Sequence, residues 1–355
     1  MREVFVLSDN IVSPLGETTE ENFRALASGN TGIRRHERAD MSPTPFYASL
    51  FGEPRSFEDL LATSVETALA LSGLDPGDPR IVFILSSTKG NIGLLEHGVS
   101  DPAAFSLADS AERVAARFGF RTPPLVVSHA CISGLQGMIT ARRLLMAGLY
   151  DHAVVCGADL ITRFILSGFQ SFQAVSPEPC RPFDADRQGV TLGEAAGTVV
   201  LSVRPAGIRL AGGAVSNDAN HISGPSRTGE ELYMAIRRAL GDAPVDFISA
   251  HGTATLYNDD MEARALNLAG LASVPLNSLK GYYGHTLGAA GLIESIISMQ
   301  SLREGLILGT PGYRRPGTVL PVHVAATNIE APLRRCLKTA SGFGGCNAAV
   351  VLEKT

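Results

Sequence analysis

Two stretches of this chain repeat one another. Cys131-Ile-Ser-Gly134-Leu-Gln-Gly137 and His285-Thr-Leu-Gly288-Ala-Ala-Gly291 both read X-x-x-G-x-x-G. Each opens an apolar stretch of similar length, one ending near Gly148-Leu149 and the other near Gly305-Leu306. Further back, the run Ile81 to Gly90 resembles Asp246 to Thr253: an apolar strand followed by a small polar loop. Two pairs of segments in the same order predict a duplicated unit rather than a chance recurrence of glycine. The halves are expected at 1–205 and 206–355, meeting near Val203–Gly213, with Cys131 in the first and two histidines, His251 and His285, in the second.

Strand-like and helix-like segments alternate, which argues for an α/β fold with helices packed on a sheet. Val4–Leu7, Ile81–Leu85, Leu125–Val127 and Ala153–Cys156 read as strands. Phe57–Leu71, Ala103–Phe118 and 132–147 read as helices. Thr18-Thr19-Glu20-Glu21 fits a capping box, with Gly29 near the end of the helix that follows. The 132–147 segment is apolar on most faces, so it belongs in the centre of the molecule, where Gly134 and Gly137 allow close packing. Arg142 and Arg143 interrupt it and argue against a membrane span.

The 355 residues are 45% hydrophobic and 18% charged, enough to bury a large core. A net charge of −5 suggests no nucleic-acid surface. Five scattered cysteines without a CxxC pair fit neither a disulfide framework nor a zinc site, and favour a reducing compartment. The N-terminus reads as a first strand rather than a signal peptide, and no apolar run approaches membrane-spanning length. A cytoplasmic, soluble protein without a membrane partner is expected. No recognised metal-ligand spacing links His251, His285 and Asp259-Asp260, so no metal or cofactor is expected.

Cys131 follows an apolar strand and precedes the buried helix. A strand-to-helix turn aims its side chain at the mouth of the sheet, and the helix N-terminus favours a thiolate there. His251, in Ser249-Ala-His-Gly-Thr-Ala-Thr255, also ends an apolar strand. Taken singly, each of these three residues is more often a structural one. By the repeat, Cys131 and His285 stand at equivalent helix starts, and facing halves bring those starts together, with His251 arriving from the neighbouring strand end.

These motifs carry a resemblance. HACISG, HGTAT, NSLKGYYGHTLGAAG and SGFGGCNAAVVLE follow the order and spacing of the β-ketoacyl-acyl carrier protein synthases of the thiolase-like fold. Ile11 to Gly16, Cys180 to Arg187, Gly193 to Gly197 and Ser216 to His221 also fit, so the resemblance covers nearly the whole chain. It implies two similar halves, each with a mixed β-sheet between helices, in αβαβα layers. It implies a Cys131–His251–His285 site in which Cys131 takes an acyl group from the phosphopantetheine arm of an acyl carrier protein. Backbone N–H groups of Cys131 and Phe343 would form the oxyanion hole, and the histidines would stabilise the enolate left when malonyl-carrier protein loses carbon dioxide. Lys280 and Glu262 match supporting residues, Phe343 a gating residue between glycines, and His221 and Asp218 a less central segment. A homodimer, or a heterodimer with a related chain, is implied too.

The chain departs from the family in three places. It is short between Gly32 and Ile81 and between Glu96 and Phe118. His129 stands where relatives carry a small residue or Thr, and is expected to narrow the pocket or bond an unusual substrate. Ser341 replaces a common Phe. The last two point to specialised rather than housekeeping synthesis. A chain-length-factor-like partner subunit is the alternative, against which the presence of Cys131, His251 and His285 counts. A thiolase-type enzyme using coenzyme A and a Cys-His hydrolase are the remaining rivals.

Overall fold

The computed structural model of the chain describes residues 2–241 and 243–355. Ten strands make one mixed sheet, and its order shows the duplication directly. From the outer edge inward, the first half runs Leu125–Val127, Ile81–Ser86, His152–Asp159, Ala195–Ser202 and Phe5–Val12. The second half runs Leu276–Asn277, Phe247–Ser249, Arg335–Gly342, Cys346–Lys354 and Ile208–Asn217. Numbered by chain order within each half, both read third, second, fourth, fifth, first. In both, the outer three strands are parallel and the inner two antiparallel. The halves join edge to edge through two residue pairs, Phe5 with Arg209 and Val6 with Ile208.

Layering follows from which faces are apolar. Strands such as His152–Asp159 and Ala195–Ser202 are buried throughout, so both faces of the sheet need covers. Helices Phe57–Ser72 and Leu107–Phe118 cover the outer face of the first half, and Glu230–Leu240 and Leu256–Leu268 that of the second. Helices Ser133–Met146 and Ala290–Glu304 fill the space between the two halves of the sheet, and their side chains dominate the largest core cluster. This gives the expected α/β architecture in five αβαβα layers. Among the described residues no helix is long and apolar enough to cross a membrane. The Arg142 guanidinium instead donates to the Leu210 and Ala211 carbonyls at 3.0 and 2.9 Å.

The two central helices touch through glycine. A Cβ on Gly134 would stand 2.8 Å from the Leu292 backbone nitrogen, and one on Gly291 would stand 2.3 Å from Leu135 Cδ1. These mirrored contacts fix the true register of the repeat: Gly134 is the mate of Gly291, not of Gly288. Cys131 and His285 are therefore not at equivalent helix positions. The second half inserts a 3-10 turn, Leu287–Ala289, and its helix begins only at Ala290. Gly134→Ala is expected to lower stability by about 1–3 kcal/mol through overpacking against backbone, measured as a fall in the urea midpoint at unchanged slope.

Most other elements match expectation. Thr18 and Glu21 form the capping box, and Gly29 follows the helix end at φ +77°. The 103–118 segment does not form one helix. It splits into a 3-10 turn, Pro102–Phe105, and helix Leu107–Phe118, because Ser106 adopts extended backbone and caps the second piece through the Asp109 amide.

Candidate active site

Cys131 leaves the sheet on a strained turn. Ala130 before it has φ +45°, a left-handed conformation that costs a β-carbon residue energy. Ser133 holds that turn: its hydroxyl donates to the Ala130 carbonyl at 2.6 Å and accepts from the His129 amide at 2.8 Å. Sγ then points across the seam between the halves, where His285 Nε2 lies 3.1 Å away. His251 completes the group. Its ring meets that of His285 edge-on, with centroids 5.3 Å apart, and the sulfur and one ring nitrogen of each histidine lie within 4.8 Å of one another. Sequence distance is closed by the fold: Cys131 ends the outermost strand of one half, and His251 the second strand of the other.

Burial sets the electrostatics. It pushes the Cys131 thiol up to about 12, with the Cys346 thiol adding to the rise and the Lys280 ammonium opposing it. The thiolate expected from the helix N-terminus is thus outweighed by desolvation, and the resting sulfur is a thiol. Burial also holds His251 and His285 well below the ordinary imidazole range, with Lys280 and Lys338 pushing the same way. Both rings rest neutral. Lys280 Nζ, which can only donate, sits 3.3 Å from His251 Nδ1. Nδ1 is therefore the acceptor, and Nε2 carries the proton.

Lys280 and Glu262 are both fully buried, so neither belongs to a surface ion pair. Glu262 accepts from the amides of His251 and Gly252 at 2.8 Å each, and from the Thr339 hydroxyl at 2.5 Å. It holds the backbone that carries His251. Lys280 binds the His251 carbonyl at 2.6 Å and pairs with Glu294, not with Glu262, at 2.8 Å. Glu294 and its other partner, Lys338, were not singled out in the sequence. Glu294 is a lone charge inside an apolar run, and that is the signal that could have found it; Lys338 follows Arg334 and Arg335 closely and carries no such signal.

Two cavities meet at Cys131. One, of about 980 Å³, is lined by Thr88, Ile165, Phe169 and Leu287; the other, of about 630 Å³, by Gln188, His221, Thr253 and Thr255. Phe343 stands between them, stacked on Phe169 and edge-on to Phe172. Those two aromatics come from helix Arg163–Ser171 and its end, and sequence reasoning passed over them because apolar residues on a helix read as core. The loop carrying Phe343 turns on Gly344 and Gly345, at φ +87° and +78°. Its backbone abuts the nucleophile: the Phe343 N–H is directed at Cys131 Sγ, and a Cβ on Gly342 would come within 3.0 Å of the Cys131 nitrogen. Phe343→Ala joins the two cavities. We expect it to lower the ratio of condensation to enzyme acylation about tenfold, read by product assay beside intact mass, because acyl chain and second substrate are no longer kept apart.

The remaining expectations sort plainly. His129 lines neither cavity; its Nδ1 lies 2.5 Å from Gln136 Oε1, so it braces the first central helix rather than narrowing the pocket. Ser341 does line the smaller cavity, with its hydroxyl donating to Asn347 Oδ1 at 2.7 Å. His221 borders the same cavity while its Nδ1 accepts from the Gly224 amide. Asp218 accepts from the Ser226 amide and shapes that loop from behind.

Solved structures share this arrangement of layers. A ketosynthase in complex with its chain length factor from Xenorhabdus doucetiae superposes with a TM-score of 0.88, covering 100% of this chain and 98% of that one at 26% identity. The ishigamide ketosynthase/chain length factor gives 0.90, with 100% and 99% covered at 26% identity. The fold is therefore thiolase-like, of the ketosynthase kind. In sequence, the beta-ketoacyl synthase N-terminal domain matches residues 55–205 and the C-terminal domain residues 208–314. The 3-oxoacyl-[acyl-carrier-protein] synthase 2 of Vibrio cholerae is 30% identical over 415 aligned residues, covering 99% of either chain, and that of Rhizobium meliloti is 30% identical with 100% and 99% covered. The chain belongs to the β-ketoacyl synthase family.

Proposed function

We propose that this chain is a 3-oxoacyl-[acyl-carrier-protein] synthase that joins an acyl group held on Cys131 to malonyl-carrier protein with loss of carbon dioxide. The observation that carries this is the contact of Cys131 Sγ with His285 Nε2 at 3.1 Å, with His251 beside it, where two cavities meet. The smaller cavity, with Thr253, Thr255 and Gln188 on its walls, suits the amide-rich phosphopantetheine arm; the larger suits the acyl chain.

In the first half-reaction Sγ attacks the acyl thioester carbonyl. The thiol proton goes to the departing carrier thiolate, so that one thioester is exchanged for another. The N–H groups of Cys131 and Phe343 hold the oxyanion. In the second, the C–C bond to the malonyl carboxylate breaks and its electron pair moves into an enolate. His251 donates to the enolate oxygen from Nε2, and His285 adds a second donor. The enolate carbon attacks the Cys131 thioester, and the tetrahedral intermediate releases a 3-oxoacyl product and expels the cysteine as a thiolate, which takes a proton from solvent to return to the thiol. No metal or redox group enters this chemistry.

A second chain is part of the proposal, as a homodimer or with a related ketosynthase-like subunit. Strand Leu125–Val127 is an unpaired sheet edge whose Leu125 and Val126 are each 37% exposed, which suits edge-to-edge pairing. The complexes of ketosynthases with chain length factors point the same way. All five cysteines are free thiols, which supports a reducing, cytoplasmic setting. Specialised synthesis remains the reading for the unusual Ser341 cavity wall.

The test is intact mass after incubation with acyl-carrier proteins of several lengths and no malonyl donor. One added acyl mass supports the proposal, and the preferred length reports the larger cavity. No adduct with any acyl group, alone or with a co-purified partner, overturns it in favour of a non-catalytic partner subunit.

A further inference from the structure

Beneath the two imidazoles lies a second buried lysine. Lys338, on strand Arg335–Gly342, is fully buried and makes three contacts. Its ammonium lies 2.7 Å from Glu294 Oε2 and 3.1 Å from each of the Ser249 and Ala250 carbonyls. Those carbonyls end the strand that delivers His251. The other oxygen of Glu294 takes Lys280 at 2.8 Å, and Lys280 reaches the His251 ring and carbonyl. A single carboxylate thus bridges two ammonium groups, one on each route to His251.

The charged groups around the two rings come from four elements: Lys280 on helix Lys280–Tyr283, Lys338 on its strand, Glu294 on the second central helix and Glu262 on helix Leu256–Leu268. The Cys131 thiol faces them from the opposite half. Both carboxylates are occupied elsewhere: Glu262 by two amides and a hydroxyl, Glu294 by the two lysines. Among the described residues, neither carboxylate bonds a ring nitrogen.

We propose that Lys338 is a positioning residue for the condensation: it fixes the strand end under His251 and occupies Glu294, so that both imidazoles stay neutral hydrogen-bond donors. Without it, one oxygen of Glu294 is left uncompensated next to Lys280. An unpaired buried carboxylate stabilises a nearby imidazolium. A protonated His251 can no longer accept from Lys280, and the orientation of the ring is lost with its charge state. The inference rests on the condensing role proposed above, but its first test does not need turnover.

That test is imidazole NMR of the native protein from pH 8 to pH 5. Neither His251 nor His285 should titrate in this range; a midpoint near the ordinary 6.5 for either ring overturns the proposal. The second test is the pH profile of malonyl-carrier protein decarboxylation in Lys338→Met. Its acid limb should move up by about one pH unit, read as the rise in the pH at which activity falls to half its pH 8 value. A uniform loss with an unmoved limb is what a merely structural lysine gives, and it overturns the proposal. Lys338→Met/Glu294→Gln, which also removes the freed carboxylate, should bring the limb back; a limb that stays displaced overturns the proposal too. If Lys338→Met does not fold, the native titration and the double variant decide. Absence of acylation in the native protein, by contrast, would sink the condensing role and leave the ring titration interpretable.

Discussion

Cys131→Ala should take up no acyl group at all: after incubation with acyl-carrier protein its mass stays that of the bare chain, while the native protein gains one acyl unit. Condensation should fall by at least about a thousandfold, the scale on which removal of a covalent nucleophile is felt. The expectation is this strong because no other thiol can substitute. Cys156, Cys180 and Cys336 are enclosed in the core. Cys346 directs its sulfur at the His129 and Phe343 carbonyls, away from both cavities. Carbon dioxide release from malonyl-carrier protein should persist in the variant, because His251, His285 and their supports are untouched. An acyl adduct on Cys131→Ala would show that the nucleophile lies elsewhere.

Glu294→Ala should be the most damaging single change to stability, at about 3–5 kcal/mol, because it leaves two ammonium groups buried without their shared counter-charge. Urea denaturation at pH 7 measures it. The pH dependence has a definite sign. Burial already lowers Lys338 below the ordinary lysine value even with Glu294 present. A lysine whose folded pKa lies below its unfolded one binds fewer protons folded than unfolded, so stability rises as pH climbs from the folded value towards about 10.4. The variant should therefore regain part of its loss between pH 7 and pH 10. A deficit that stays constant over that interval would mean that lost packing, rather than uncompensated charge, causes it.

The fold was legible where periodicity and punctuation agree. The repeat announced two halves because each nucleates a buried helix behind the same glycine spacing, and the strands before Cys131 and His251 showed as short apolar runs. What the repeat could not give was its own register. Three residues of 3-10 turn before Ala290 slip the second motif by about one helical turn, which preserves the X-x-x-G-x-x-G pattern while moving its position in space. Of the site, Cys131, His251 and His285 stood out through their motifs and the order of those motifs, not through any one residue read alone. Glu294 and Lys338 did not, since each is meaningful only with the other, and they lie 44 positions apart (338 − 294) on different elements. Phe169 and Phe172 are indistinguishable by type from core residues until the cavities on either side of them are seen. The thiolate expectation failed for a related reason. Sequence shows the helix start but not the depth of burial, and here depth dominates.

The corrected register carries one more consequence. By the two-fold relation that pairs Gly134 with Gly291, the mate of Cys131 is Gly288. Any side chain there would meet the Asp159 carboxylate at 2.9 Å and the Thr88 nitrogen at 3.0 Å. Asp159 fills that second location, accepting from the Gly288 amide at 2.7 Å and the Ser87 hydroxyl at 2.8 Å. A doubled architecture would by symmetry offer two reaction chambers. Here glycine stands at the position symmetric to the nucleophile and the Asp159 carboxylate lies against it, so the two copies have become complementary parts that can no longer exchange roles.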